Sequence, residues 1–237
     1  MSARPGESGS GIFVTGTGTE VGKTVVAAAI ARTLAAAGRR VAVFKPAVTG
    51  IEEEGETDHE LLRRASGSRQ SDAEIAPYRY DPPASPHLAA ALAGERIDPA
   101  RLREAARAAA AGAEVLVCEG VGGLLVPLAP DYLVRDLAAD LGYPLAIAAS
   151  PGLGTINHTL LTIEAARAAG LEVAAVVLTP WPEAPSEIER NNRETIAALG
   201  AVEVKTLPEL DLADPATWPP LQVPRLSHSG VHSPPKS

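Results

Sequence analysis

A single cysteine, Cys118, stands among the 237 residues, so no disulfide forms within the chain and a reducing compartment is expected. Aromatic side chains are almost as scarce, at 3% against 46% hydrophobic residues in all, so the core must be assembled from Ala, Val, Leu and Ile. No uninterrupted apolar run approaches the roughly 20 residues that span a bilayer, and the first residues carry no apolar signal-peptide segment. These absences predict a cytoplasmic protein with no membrane partner. Positive charge is in deficit as well. A net charge of −8 argues against a nucleic-acid or anionic-membrane surface. It does not exclude a small anionic ligand, which responds to local charge.

Residues 1–10 are polar and glycine-containing, and residues 218–237 are rich in Pro, Ser and His. Both ends are predicted to be flexible, which leaves one domain over 11–217. His228 and His232 in the tail read as polar residues rather than a metal pair. Within the domain, apolar β-branched runs alternate with Ala/Leu/Arg helical patterns. Strands are predicted at Ile12–Thr15, Val41–Phe44, Val115–Cys118, Leu145–Ala148, Val173–Leu178 and Val202–Thr206. Unbroken apolar runs suit strands covered on both faces. Asp98-Pro99 and the Ser186/Glu189 capping box open helices, while Gly38, Gly112, Gly170 and Gly200 stand where helices should end. The alternation predicts an α/β fold with a mostly parallel sheet and helices on both faces.

The most informative stretch is Phe13-Val14-Thr15-Gly16-Thr17-Gly18-Thr19-Glu20-Val21-Gly22-Lys23-Thr24. A strand ends in a glycine-rich loop, and the loop runs into an Ala-rich helix at Val25. Small residues let backbone N–H groups close on a phosphate, Lys23 adds mobile positive charge, Thr24 offers a hydroxyl to Mg²⁺, and the helix N-terminus adds its dipole. The expected nucleotide contacts are therefore Glu20, Val21, Gly22, Lys23, Thr24 and Val25, in a P-loop NTPase-like fold. The usual spacing would put the first glycine at 17; here it is Gly16, one residue earlier.

In such a sheet, ligands sit beyond the carboxyl ends of the strands. Lys45 follows the second strand, where it either neutralises an anionic intermediate or simply faces solvent at a strand end. Glu119, with Gly120, Val121 and Gly122, follows the third. A carboxylate there has the position of a magnesium ligand, and the glycines allow close backbone approach. The run Glu52–Glu60 reads as a solvated acidic loop, and composition alone does not separate Asp58 from it; it also starts a helical pattern. Gly154, Thr155 and Asn157 open a helix after the fourth strand and offer a second anion site or a plain cap. Cys118 reads as a buried apolar residue, since no base accompanies it.

Together, the lengthened P-loop, Lys45-Pro46, Asp58, Ser85-Pro86-His87, Glu119-Gly120 and Gly154-Thr155-Ile156-Asn157-His158 resemble the dethiobiotin synthetases, which are ATP-dependent enzymes of biotin synthesis. The resemblance runs from about residue 11 to about 210 and is densest before 165. It implies a cyclo-ligase that takes 7,8-diaminopelargonic acid and CO₂ or bicarbonate through a carbamate and a carbamic–phosphoric anhydride. Lys45, Lys23 and Thr19 would then serve the chemistry, and Thr49 would bind the diamine or carbamate. Thr24, Asp58 and Glu119 would hold Mg²⁺. The substrate carboxylate would lie at Gly154, Thr155 and Asn157, near the interface of a homodimer. Thr179, Leu207, Pro208 and Glu209 are the expected base contacts.

Two departures stand out. Gly18 occupies the place of a loop aspartate, and Thr179 stands where many members carry a base-reading asparagine. The second implies relaxed nucleotide preference, with CTP accepted beside ATP. The rival reading is a P-loop ATPase switch of the partitioning or cell-division type. Such proteins carry a lysine early in the loop, and no lysine stands between residues 1 and 22. A ligase with a glutaminase domain would need greater length and a Cys/His pair.

Overall fold

The structure, a computed structural model, describes residues 10–51, 56–224 and 226. Ten strands and eight helices follow one another in those residues. The chain starts with β1 (Ser10–Gly16), α1 (Lys23–Ala36), β2 (Val41–Phe44) and β3 (Ala47–Thr49). Next come α2 (Asp58–Ser66), α3 (Asp72–Ile75), β4 (Tyr78–Tyr80), α4 (Pro86–Leu92) and α5 (Pro99–Ala110). The middle holds β5 (Val115–Gly123), β6 (Pro127–Ala129), β7 (Tyr132–Leu133), α6 (Val134–Leu141) and β8 (Leu145–Ala149). The last elements are α7 (Thr155–Ala168), β9 (Val173–Trp181), α8 (Glu187–Gly200) and β10 (Val204–Pro208), before a single 3-10 turn at Pro215–Thr217.

Six strands form the central sheet in the order β10-β9-β8-β1-β5-β2. Every pairing in it is parallel. All six are the strands expected from the apolar runs, although β5 and β9 run further, to Gly123 and Trp181. The short parallel pair β3-β4 and the antiparallel pair β6-β7 were not expected. Each is only two or three residues per strand, too short to leave a periodic signal.

Alternation along the strands divides the core. Ile12, Val14, Val115 and Val117 pack with α1 and α2, whereas Phe13, Leu116 and Cys118 face the layer that includes α5 and α6. Ile147, Val176 and Leu178 pack under α7 and α8. Lone small aliphatics fill most of these positions, as the shortage of aromatics requires. The expected caps form at Asp98, whose side chain accepts from Ala100 N, and at Ser186 with Glu189. Gly200 is a correction: it is the last residue of α8, and Ala201 takes the left-handed cap (φ 43°). A Cβ on Gly200 would meet Ile163 Cδ1 of α7 at 2.9 Å.

The boundary expected at 217 also gives way. Trp218, Leu221, Val223 and Leu226 are buried in the core layer of α1 and α2. Leu221 N donates to Thr33 Oγ1 on α1 (2.8 Å), Arg32 Nε donates to Pro215 O (3.2 Å), and Trp218 Nε1 donates to Asp211 O (2.7 Å). Prolines break the periodicity by which such a segment would be recognised, yet leave every few residues an apolar anchor. The expected flexible segments at 1–9 and 227–237 lie outside the described residues. Among the described residues, no helix is long and apolar enough to cross a membrane. Leu221→Ala should cost about 2–5 kcal/mol of unfolding free energy, as truncation of a buried leucine does. Urea unfolding measures it; a change within about 0.5 kcal/mol, the size of a surface effect, would remove this segment from the core.

Candidate active site

The side of the sheet that ends in β2 makes the site. β5 lies between β1 and β2, and its Glu119 stands level with the ends of both, so three neighbouring strands bring different functional groups together. β1 opens into the loop 17–22 and α1, which starts at Lys23. Lys45 follows β2, and Glu119 stands within β5, level with Val14 of β1. α2 brings Asp58 to the same place from its N-terminus, where Thr57 and Glu60 form a capping box. A cleft of about 720 Å³ opens above these groups, lined in part by Thr19, Glu20, Lys23, Thr24, Lys45, Thr49, Asp58 and Glu119.

The loop geometry explains its unusual spacing. A Cβ at Gly16 would meet Val21 Cγ2 at 2.7 Å and Lys23 Cγ at 2.8 Å, so the loop folds onto the end of β1 only where no side chain stands. Thr17 N then bonds Ala148 O at the end of β8 (3.0 Å). Glu20 takes a left-handed φ of 58° and Gly22 one of 83°. Successive backbone turns of this kind point N–H groups into a common concavity that suits an anion.

Four side chains form one connected cluster. Lys45 Nζ lies 2.6 Å from Asp58 Oδ2 and 2.6 Å from Glu119 Oε1. Thr24 Oγ1 lies 2.9 Å from Asp58 Oδ1 and 2.9 Å from Glu119 Oε1; with one proton, it donates to one of them at a time. Glu119 is fully buried and Lys45 is 3% exposed, whereas 45% of the Asp58 side chain remains open to the cleft. Burial works first against the charge on Lys45, but Glu119 and then Asp58 outweigh it and lift its pKa above the ordinary lysine value. Burial also opposes ionisation of Asp58, yet Lys45 holds its carboxyl below the usual range. At Glu119 burial prevails over Lys45, and the carboxyl stands above its usual value. Lys23 differs: burial lowers its pKa, and its Nζ donates to a neutral carbonyl, Gly18 O, at 2.7 Å.

The oxygen set fits a magnesium ion. Thr24, Asp58 and Glu119 supply only oxygen donors, and Glu119 Oε2 is buried with no hydrogen-bond partner. Among the described residues, no cluster of three or more His, Cys, Asp or Glu side chains gathers. Two carboxylates and a hydroxyl suit an ion that keeps waters and phosphate oxygens for its remaining positions.

Of the other expected site residues, Gly22, Val25, Val121 and Gly122 line the cleft. Val21 packs against the core, and Gly120 is closed under Phe13 and Val134. Gly154, Thr155 and Asn157 do not line it. Gly154 caps α7, Thr155 is buried with its hydroxyl 3.4 Å from that of Thr159, and Asn157 is exposed. Asn192 Nδ2 fixes the loop before them by donating to Pro151 O (2.9 Å) and Gly152 O (3.1 Å). Thr179, Leu207, Pro208 and Glu209 are also outside the cleft lining. Thr179 is 3% exposed and packs on the P-loop, where a Cβ on Gly22 would meet its Cγ2 at 2.6 Å. Leu207 belongs to the core. The cleft gains Ala47, Pro83, Ala84, Ser85, Pro86 and Val126, which had no assigned role. The Ser85-Pro86-His87 motif was the available signal, and Ser85, though the N-cap of α4, makes no side-chain capping bond. Cys118 is fully buried in the core, and burial pushes its thiol pKa well up, as expected of an inert residue.

Comparison with known proteins identifies the family. A family model described as an AAA domain matches residues 10–217. The ATP-dependent dethiobiotin synthetase BioD of Anaeromyxobacter dehalogenans (strain 2CP-C) is 45% identical over 185 residues, covering 78% of this chain and 83% of the relative. The enzymes of the same name from Rhodococcus erythropolis and Bacillus subtilis are 42% and 37% identical, covering 80% and 82% of this chain and 84% of each relative. Among solved structures, a nucleotide-binding protein from Archaeoglobus fulgidus in complex with ADP is similar in fold, with a TM-score of 0.52 at 16% identity, covering 88% of this chain and 85% of that one. With a parallel sheet and P-loop in place, and with relatives of this identity spanning most of both chains, the protein belongs to the ATP-dependent dethiobiotin synthetase family.

Proposed function

We propose that this chain joins CO₂ to 7,8-diaminopelargonic acid at the expense of ATP and closes the ureido ring of dethiobiotin. The observation that carries the reading is the convergence of Lys23, Lys45, Thr24, Asp58 and Glu119 on one cleft, from four separate elements. One amine of the substrate attacks CO₂ and loses a proton, forming a carbamate. A carbamate oxygen then attacks the γ-phosphorus of ATP, and ADP leaves. The second amine attacks the carbonyl carbon of the anhydride, and phosphate leaves.

Two anions must meet in the second step, so the site has to concentrate positive charge. Lys23 and Lys45, which both line the cleft, supply it. Thr24, Asp58 and Glu119 would hold Mg²⁺, which neutralises phosphate charge when bound. Thr19 and Thr49 line the cleft and offer hydroxyls to the diamine or carbamate; Ser85 is a third such hydroxyl in the lining. Glu20, Val21, Gly22 and Val25 frame the phosphates through the loop and the start of α1. Lys45→Ala should lower formation of dethiobiotin from diaminopelargonate, bicarbonate, Mg²⁺ and ATP by about 10²-fold or more, the scale for losing a charge-stabilising donor. Mass detection of the product reads this, and unchanged turnover would take Lys45 out of the chemistry.

The reading extends to a cytoplasmic homodimer. Gly154, Thr155 and Asn157 would bind the substrate carboxylate for the neighbouring subunit's cleft. Support comes from their position off this chain's own cleft and from Leu153 beside them, which is 97% exposed. Light scattering should give a dimer, and a fully active monomer would overturn the composite site.

Base recognition is the least constrained part of the proposal. Thr179 is committed to packing on Gly22, and no asparagine amide takes its place. Initial rates across ATP, CTP, GTP and UTP should show CTP serving within about tenfold of ATP, the range left when no hydrogen-bonding pair reads the base. Use of ATP alone would refute the relaxed preference.

A further inference from the structure

Lys45 and the expected magnesium site draw on the same two carboxylates. Glu119 Oε1 receives both Lys45 Nζ (2.6 Å) and Thr24 Oγ1 (2.9 Å), and Asp58 is shared between the same two partners. A dication held by Thr24, Asp58 and Glu119 competes for the carboxylates with which Lys45 is paired, even where it enters through the unpartnered Glu119 Oε2. It also brings two positive charges against a buried ammonium, a repulsion that water does not screen there. Lys45 has somewhere to go. It lines the cleft together with Ala47 and Thr49, and its unbranched stem allows the ammonium to turn toward that space.

We infer that Lys45 is a resident counter-ion for the metal site, displaced into the cleft when the metal–nucleotide complex binds. In the resting protein it keeps one buried and one half-exposed carboxylate neutralised. On loading, the same charge is delivered toward the place where carbamate and phosphate meet. The arrangement would prevent two faults. An unpaired Glu119 would be costly to bury, and a lysine already committed to the carboxylates would be useless to the anions. The inference rests on the proposed reaction, because that reaction gives the released ammonium its task.

Two measurements test it without relying on turnover. First, Mn²⁺ binding to the nucleotide-free protein is followed by electron paramagnetic resonance. Lys45→Met, with the competing charge removed, should bind Mn²⁺ about tenfold or more tighter than the wild type, and its melting temperature should rise more on Mg²⁺ addition. Equal or weaker Mn²⁺ binding by a folded Lys45→Met would overturn the proposal. Second, the wild-type chain is studied by ¹⁵N NMR of its lysine ammonium groups, with the Lys45 signal assigned by its loss in Lys45→Arg. A buried, paired ammonium exchanges slowly and gives a signal. That signal should disappear or shift on adding Mg²⁺ with a non-hydrolysable ATP analogue, and should survive the analogue with a chelator. Persistence with metal present would overturn the proposal even if Lys45→Met fails to fold. Absence of dethiobiotin in the assay would instead remove the proposed reaction and leave the counter-ion exchange standing.

Discussion

The contact on which the site depends is a buried ammonium between two carboxylates. Removing a lysine charge from water costs several kcal/mol. One carboxylate at close range returns about 4 kcal/mol near a protein surface. Glu119 and then Asp58 together outweigh that cost and favour the charged form. That is why its pKa stands above the ordinary value although it is almost wholly buried. The same contact accounts for Glu119, which has no exposure and would not tolerate ionisation without a cation beside it. Because the three charges and the Thr24 hydroxyl come from β5, α1, α2 and the end of β2, none of these elements can shift without breaking the cluster. The sheet order supports it directly: with β5 between β1 and β2, Glu119 stands level with the ends of both neighbours.

Two lysines of like charge share this cleft, and their surroundings divide the work between them. Lys23 is held by one neutral carbonyl on its own loop, and burial lowers its pKa. An incoming phosphate offers it a charged acceptor in exchange for a neutral one, so the exchange is downhill. Lys45 already has charged acceptors, and nothing weaker than a competing cation or a comparable anion will draw it away. On the proposed reading, the P-loop lysine recognises the nucleotide and Lys45 responds to it.

Much of this was legible in the sequence because it was written in long signals. The six sheet strands are unbroken apolar runs, and the P-loop, Lys45 and Glu119 each stand at the end of one. Asp58 was not legible from composition, since it lies among like charges and its role depends on where α2 begins; only the family resemblance selected it. The segment around Trp218, Leu221 and Val223 was misread because its prolines mask a spacing that serves burial rather than any helix or strand. Ser85 was visible as part of a motif without a role, because a wall contributed from a different part of the chain has no local signature. Gly120 was assigned to ligand approach, whereas the close neighbours that exclude a side chain there are Phe13 and Val134, both distant in sequence.

The two ends of the nucleotide are read by different physics, and this chain is uneven between them. The phosphate end needs charge, and charge can be brought together by strand ends whatever the strands themselves are made of. The base end needs a donor and an acceptor side by side, which an asparagine amide supplies and a threonine hydroxyl does not. In this chain Thr179 has been drawn into packing against Gly22, and Leu207 into the core. On the proposed reading, what remains near the strand ends is backbone together with exposed Pro208 and Glu209. A carboxylate accepts from the exocyclic amine of adenine and of cytosine alike, and a peptide carbonyl does the same. On the proposed reading, tight phosphate recognition with loose base recognition follows from a single choice, the packing of Thr179 against Gly22 of the P-loop.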